Sequence, residues 1–248
     1  MMLTVKGLKK SFGGVHAVRD CNFTVKEGSI TALIGPNGAG KTTVFNLITG
    51  LLRPDAGDVR FKGEPLTDLQ SHEIFHAGIA RTFQLLRIFP KLSAIENLMI
   101  AQPGSEGMFD MFTKTKRIRD EEQTKHERAV EYLRVVGLEK KKDLKGGDLS
   151  YGQQKLLDIA RCLSTEADLI LLDEPVAGVN PTLREGIKKL LVNLKKQGKT
   201  ILLIEHDMNF VMGMSDKVIV LDHGEEIAEG KPSAVKKNKK VIKAYLGE

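Results

Sequence analysis

Residues Gly35-Pro-Asn-Gly-Ala-Gly40-Lys41-Thr42 fit the spacing G-x-x-x-x-G-K-[ST] at every fixed position. Glycines at Gly35, Gly38 and Gly40 let the backbone curl until successive N–H groups point inward at a phosphate. A helix opening at Lys41 adds its positive N-terminal end. The Lys41 ammonium suits β- and γ-phosphates and the Thr42 hydroxyl suits Mg2+, with Asn37 and Thr43 completing the candidate cradle. The competing reading is a chance glycine turn before a structural helix. It loses because the motif sits between a strand-like run and a helical run.

A second group narrows the chemistry. Leu169-Ile-Leu-Leu172 is an apolar run that ends in Asp173-Glu174. Such a run suits a strand buried on both faces, and it delivers two carboxylates at its C-terminal end. Asp173 is the candidate for the Mg2+ shell, and Glu174 for orienting and polarising an attacking water. A solvated acidic pair after a core strand is the plainer alternative. With the phosphate loop present, the two groups together point to hydrolysis of a nucleotide.

The elements that must position these residues can be read from periodicity. Leu3, Val5 and Leu8, then Cys21, Phe23 and Val25, recur near period two and predict half-buried strands. Ser29–Ile34 is a third strand, and Val44, Phe45, Ile48 and Leu51 predict a helix from Lys41 onward. Ser93-Ala-Ile-Glu96 has capping-box spacing ahead of another helix. Pro103–Gly107 breaks the pattern, and a charged run from Lys114 to Lys125 leads into an amphipathic helix carrying Ala129, Leu133 and Val136. Further on, helices near 153–164 and 183–197 alternate with strands at 169–172, 200–204 and 218–221, followed by a lysine-rich tail. Parallel βα units on both sides of a helical insert are the expected arrangement.

Composition adds limits. The 248 residues are 41% hydrophobic and 28% charged, which excludes disorder as the main state. No apolar run approaches the ~18 residues of a membrane span, and the first residues lack the features of a signal peptide. Cys21 and Cys162 match no metal or redox spacing and are expected to be reduced, packed thiols in a cytoplasmic protein. The net charge of +6 is compatible with nucleic acid, an anionic membrane face or solubility alone. The 24 glycines fit tight turns or close approach of backbone to a ligand, and Gly35, Gly38 and Gly40 are places where phosphate is expected.

Leu149-Ser150-Tyr151-Gly152-Gln153-Gln154 opens a helix with Leu156, Ile159, Ala160 and Leu163 at helical spacing. Alone it reads as a polar helix cap. In order with the other two groups it resembles the signature of ABC (ATP-binding cassette) ATPases, usually Leu-Ser-Gly-Gly-Gln. The resemblance covers essentially the whole chain. It implies an α/β P-loop NTPase: a RecA-like core with a mainly parallel sheet, an N-terminal antiparallel β subdomain and an inserted helical subdomain. A single domain spanning 1–248 would then divide into a core at about 1–90 and 160–248 and a helical part at 91–159. ATP and Mg2+ are the implied ligands.

The same resemblance assigns roles. Ser150, Gly152 and Gln153 would bind the γ-phosphate of ATP held by a second ATP-binding subunit, either an identical or a related chain. Phe12, 29 residues before Lys41, would stack on adenine. Gln84 would sense Mg2+, and His206 would contact the γ-phosphate beside Glu174. Tyr151 and Asn180 stand where glycine and aspartate are commoner. More finely, Ala80–Pro90, Ser150–Gln154, Asp173–Pro181 and Ala244–Glu248 resemble the ATP-binding proteins of branched-chain amino acid importers. That implies transmembrane permease subunits as partners, a periplasmic or extracellular binding protein at one remove, and a place on the inner face of the cell membrane. The groove near Gln84 and Leu85–Pro90 would receive a permease helix.

Two other readings compete. A non-transport ABC ATPase acting on nucleic acid or ribosomes fits the basic balance, but the basic residues are not interleaved with aromatics, so no nucleic-acid partner is expected. A P-loop metabolic kinase would lack the Leu149–Gln154 helix start.

Overall fold

The computed structural model describes residues 1–103 and 115–246. The expected break beyond Pro103, the first residue of the charged run and the last two residues of the chain therefore lie outside the described residues. In chain order the first elements are β1 (Leu3–Phe12), β2 (Val15–Val25), β3 (Ile30–Ile34), α1 (Lys41–Ile48), β4 (Ala56–Phe61), β5 (Glu64–Pro65), α2 (Ser71–His76) and β6 (Ile79–Arg81). Next come α3 (Ala94–Ala101), α4 (Thr115–Val135), α5 (Tyr151–Ser164), β7 (Leu169–Asp173), α6 (Pro181–Lys196) and β8 (Thr200–Ile204). The chain ends with α7 (Met208–Met212), β9 (Lys217–Asp222), β10 (Glu225–Gly230), α8 (Pro232–Val235) and α9 (Lys239–Leu246).

The described strands join one sheet in the order β5-β4-β1-β2-β10-β9-β3-β8-β7-β6. Its centre is parallel: β3 lies between β9 and β8, with β7 and β6 following outward. Parallel strands need crossovers, and the intervening helices supply them, so both sheet faces are covered. This explains why β3, β7 and β8 are buried at every position. Successive side chains alternate between two cores: Ile170, Leu172, Ile201 and Leu203 face one, while Leu169, Leu171, Leu202 and Ile204 face the other. Helix α1 covers the second core with Val44, Phe45 and Ile48; Leu98, Leu133 and Leu157 of α3, α4 and α5 join the first.

The N-terminal strands pair antiparallel, with Leu3 opposite Val25 and Val5 opposite both Phe23 and Val59. Burial follows the period-two pattern read from the sequence. The capping box before α3 also forms: Ser93 Oγ accepts from the Glu96 amide at 3.3 Å, and Glu96 Oε2 accepts from the Ser93 amide at 2.7 Å. Helices α5 and α6 begin at Tyr151 and Pro181, a turn or less ahead of the expected 153 and 183. The region after Leu221 departs from expectation. It is no mere lysine-rich tail: β10 pairs antiparallel with β9 and carries the sheet on to β2, and α9 buries Val241. Cys21 and Cys162 are buried free thiols. Among the described residues no helix is long and apolar enough to cross a membrane.

Candidate active site

The C-terminal ends of adjacent parallel strands bring the chemistry together. Gly35 follows β3, Asp173 ends β7 with Glu174 next to it, His206 lies just past β8, and Gln84 lies just past β6. Ligands of open α/β sheets sit at this edge because helix N-termini and strand-end loops converge there.

Beyond β3 the chain curls through Pro36–Ala39 into α1. Gly35 has φ 151°, and a Cβ there would stand 2.1 Å from the Leu221 carbonyl oxygen. Gly40 is left-handed at φ 96°, and its Cβ would stand 2.3 Å from the Ala17 carbonyl. These two glycines are therefore demanded by the protein's own neighbouring backbone as well as by the approach to phosphate expected there. At Gly38 a Cβ would meet nothing, so the requirement there is its φ of 83°. At Gly152 a Cβ would meet a methyl of Leu183 on α6 at 2.3 Å, so helix packing is part of its reason too.

Lys41 is 6% exposed and donates from Nζ to the carbonyls of Gly35 and Pro36, both at 2.8 Å. Burial pulls its ammonium below the ordinary value, while the nearby charges of Glu174 and Asp173 pull it back up. Lys41 and Thr42 open a cavity of about 260 Å3 that is also lined by Asn37, Gly38, Gly40, Thr43, Gln84, Glu174 and His206. Nine of the sequence-derived site residues thus share one concave surface. His206 Nε2 lies 2.5 Å from Glu174 Oε1, and Gln84 Nε2 reaches Glu174 Oε2 at 3.5 Å. With its proton on Nε2, the imidazole donates to the carboxylate and orients it. Glu174 itself is left-handed at φ 50°, a costly conformation for a residue with a Cβ.

The remaining expected residues lie elsewhere. Phe12, at the end of β1, is 45% exposed beside the Lys10 ammonium and does not line the cavity. Ser150 and Gln153 cap α5 reciprocally: Ser150 Oγ accepts from the Gln153 amide at 3.4 Å and Gln153 Oε1 accepts from the Ser150 amide at 3.1 Å. Neither they nor Gly152 line this cavity. Tyr151 is half exposed and packs against Gly178, where the Cβ of an alanine would sit 3.1 Å from the ring. Asn180 caps α6 by accepting from the Leu183 amide at 2.9 Å.

Asp173 is 2% exposed, and one of its oxygens takes Arg81 Nη2 at 2.9 Å. Arg81 also donates from Nη1 to Asn46 Oδ1 of α1 at 2.7 Å, and the Thr82 hydroxyl accepts from the Asp173 amide at 3.0 Å. Arg81 lies within the segment Ala80–Pro90, yet its spacing alone points to no role. Two further residues were missed. Glu205 is 3% exposed, accepts from the amides of Val176 and His206 at 2.9 and 3.2 Å, and has its carboxyl pushed above the ordinary value by burial. Lys155, on α5, is also buried and donates to the Glu174 carbonyl at 2.9 Å. A lysine four residues before the core position Ile159 was the available signal.

A separate groove of about 380 Å3 is lined by Phe75, Phe83, Arg87, Ile100, Asp158 and Arg161 among others. Of the segment Leu85–Pro90, only Arg87 faces it, and Gln84 turns to the other cavity, so the expected groove is displaced toward α3 and α5.

A phosphate loop at the end of a central parallel strand, with a carboxylate and a histidine on neighbouring strand ends, defines a P-loop nucleoside triphosphatase. The family described as ABC transporter matches residues 18–177. A second family, branched-chain amino acid ATP-binding cassette transporter, matches residues 225–248. The high-affinity branched-chain amino acid transport ATP-binding protein BraF of Pseudomonas aeruginosa is 43% identical over 100% of this chain and 98% of its own length. An ATP-binding cassette of an ABC transporter, solved in its ADP conformation, superposes with a TM-score of 0.86 at 37% identity, covering 100% of this chain and 99% of that one. A dimeric cassette in a post-hydrolysis state, bound to ADP and Pi, gives 0.78 at 29% identity over 93% of this chain and 99% of that one. The chain belongs to the ABC transporter family, and as a member it is an ATPase.

Proposed function

We propose that this chain is the ATP-hydrolysing subunit of an importer of branched-chain amino acids. The observation that carries the hydrolytic half is Glu174, poised between His206 and Gln84 on the wall of the cavity that Lys41 and Thr42 open. The substrate half is supported by the match of residues 225–248 and by the printed function of the BraF relative.

ATP phosphates lie in the curl from Asn37 to Thr43, where Lys41 leaves its two carbonyl partners for the β- and γ-oxygens. Thr42, Gln84 and Asp173 offer only oxygen donors, the set Mg2+ prefers, and Arg81 occupies just one of the two Asp173 oxygens. Mg2+ held there would supply charge neutralisation to the phosphates. Glu174 accepts a proton from the attacking water, and His206, whose Nε2 meets the carboxylate here, turns that N–H to the γ-phosphate when ATP is bound. Ser150, Gly152 and Gln153 sit at the start of α5, away from this cavity, and serve the ATP of a second cassette; the exposed Phe12 ring receives adenine. The dimeric post-hydrolysis relative supports that pairing. Closure of the pair depends on the γ-phosphate and so can be converted to motion of permease subunits seated in the Phe83–Arg87 groove, on the inner face of the membrane. An external binding protein supplies the amino acid.

The test is Glu174→Gln. It retains ATP binding, loses turnover by about 100-fold or more as expected for a general base, and accumulates as a dimer with ATP. Normal turnover in that variant removes Glu174 from the base role.

A further inference from the structure

Lys155 is 4% exposed, lies one turn into α5, and takes no part in the chemistry above. Its ammonium reaches the carbonyl oxygen of Glu174 at 2.9 Å, and its charge lies near Asp158, Glu205, Glu174 and Asp173. A buried ammonium without a paired carboxylate at ion-pair distance is costly, so a carbonyl that recruits one is under unusual demand. The demand is visible in the backbone. Glu174 holds φ 50° while its amide still donates to the Ile204 carbonyl at 3.0 Å, the last rung between β7 and β8. Immediately beyond that rung the chain turns, and the left-handed residue aims its side chain at His206 rather than continuing the strand. A residue with a Cβ keeps this conformation only where its surroundings over-determine it. Two donors do so at the Glu174 carbonyl: the Ala177 amide at 3.2 Å and Lys155.

We propose that Lys155 is a positioning residue for hydrolysis: by fixing the Glu174 carbonyl it holds the carboxylate against His206 and ties it to the helix whose first turn carries Ser150 and Gly152. The inference rests on the reading of Glu174 as the base. It adds a mechanical consequence. The end of α5 that meets a second cassette's ATP and the carboxylate that activates water against this cassette's ATP are joined through one buried side chain, so engagement at one site is felt at the other.

The experiment is steady-state ATPase kinetics on the full chain with Lys155→Met, which keeps the length and apolar stem, alongside Lys155→Arg and Glu174→Gln. Expected for Lys155→Met is a kcat lower by about 10-fold or more, because misplacement near the attacking group costs rate, with KM for ATP and affinity for ADP within about 2-fold. Lys155→Arg, which keeps a cationic donor and guards against a Met variant that fails to fold, recovers part of the lost kcat. Wild-type kcat in Lys155→Met, or a loss of ADP affinity that tracks the loss of kcat, overturns the proposal. Equal losses in the Arg and Met variants assign the effect to packing and overturn it too. If Glu174→Gln turns over normally, the base reading fails along with this inference; if Glu174→Gln is inactive while Lys155→Met is unaffected, only this inference fails.

Discussion

The pair Arg81–Asp173 permits a quantitative test of how the site is held. Both side chains are nearly inaccessible, at 5% and 2%, and meet at 2.9 Å. Removing the cation from such a pair leaves a buried carboxylate without its partner and costs about 3–5 kcal/mol. Arg81→Met also gives up the bonds to Asn46 and Thr49, worth about 0.5–1.5 kcal/mol each before water replaces them. Against that, Arg81 Nε has no hydrogen-bond partner, and deleting it relieves a penalty of about 1–3 kcal/mol. The two smaller effects roughly cancel, so Arg81→Met should destabilise the chain by about 3–5 kcal/mol. Asp173→Asn strands the guanidinium instead and should cost a similar amount. The double variant buries no charge, and its loss should fall well short of the sum, giving a coupling of about 2 kcal/mol or more. Equilibrium urea unfolding with EDTA and no nucleotide measures all three, since neither metal nor ligand then contributes. Additive losses, or a single variant within about 1 kcal/mol of wild type, would refute the claim that the two groups are held against each other.

Two further outcomes follow from burial. Asp158, in the groove, has its carboxyl pushed up to about 6, chiefly by burial and against the pull of Arg161. The folded chain therefore holds that proton more tightly than the unfolded one, so Asp158 makes stability fall as pH rises from about 4 to about 6. Asp158→Asn should flatten that segment of the urea-midpoint profile, and an unchanged slope would contradict the assignment. Cys21 is pushed up to about 12 by burial, and burial also raises the Cys162 thiol well above its ordinary value. A thiol reagent at pH 8 should label neither in the native chain and both in denaturant, because the thiolate is the reactive form; native labelling read by mass spectrometry would show that one of them is open to solvent.

What was legible in the sequence was the chemistry that acts over a few residues. The phosphate loop is a local backbone conformation, and its glycines, lysine and threonine must be consecutive to produce it. The apolar run ahead of Asp173 is likewise a local statement about a strand buried on both faces. Strand β10 was not legible, because Glu225-Glu-Ile-Ala-Glu-Gly230 has little apolar alternation and is a strand only by virtue of its pairing with β9. Strand β6 has three residues, too few for a period to register. The second reason that Gly35 and Gly40 lack side chains was not legible: the carbonyls of Leu221 and Ala17 stand in the way, and only the sheet order brings them there.

The residues that hold the site escaped for the same physical reason. Arg81 meets Asp173 across 92 positions, and Lys155 meets Glu174 across 19. A single charged residue in an apolar stretch signals that a partner exists, because an unpaired charge is too costly to bury, but not which partner it is. Adjacent strands decide that. Because β6, β7 and β8 are neighbours, Arg81, Asp173, Glu174 and Glu205 are placed within reach of one another at one sheet edge, and each carboxylate acquires its own donor: Arg81 for Asp173, His206 for Glu174 and the Val176 amide for Glu205. Of the three, only Glu174 lies on the cavity wall, with the His206 imidazole as its partner, and that placement is why Glu174 rather than Asp173 or Glu205 is the proposed base.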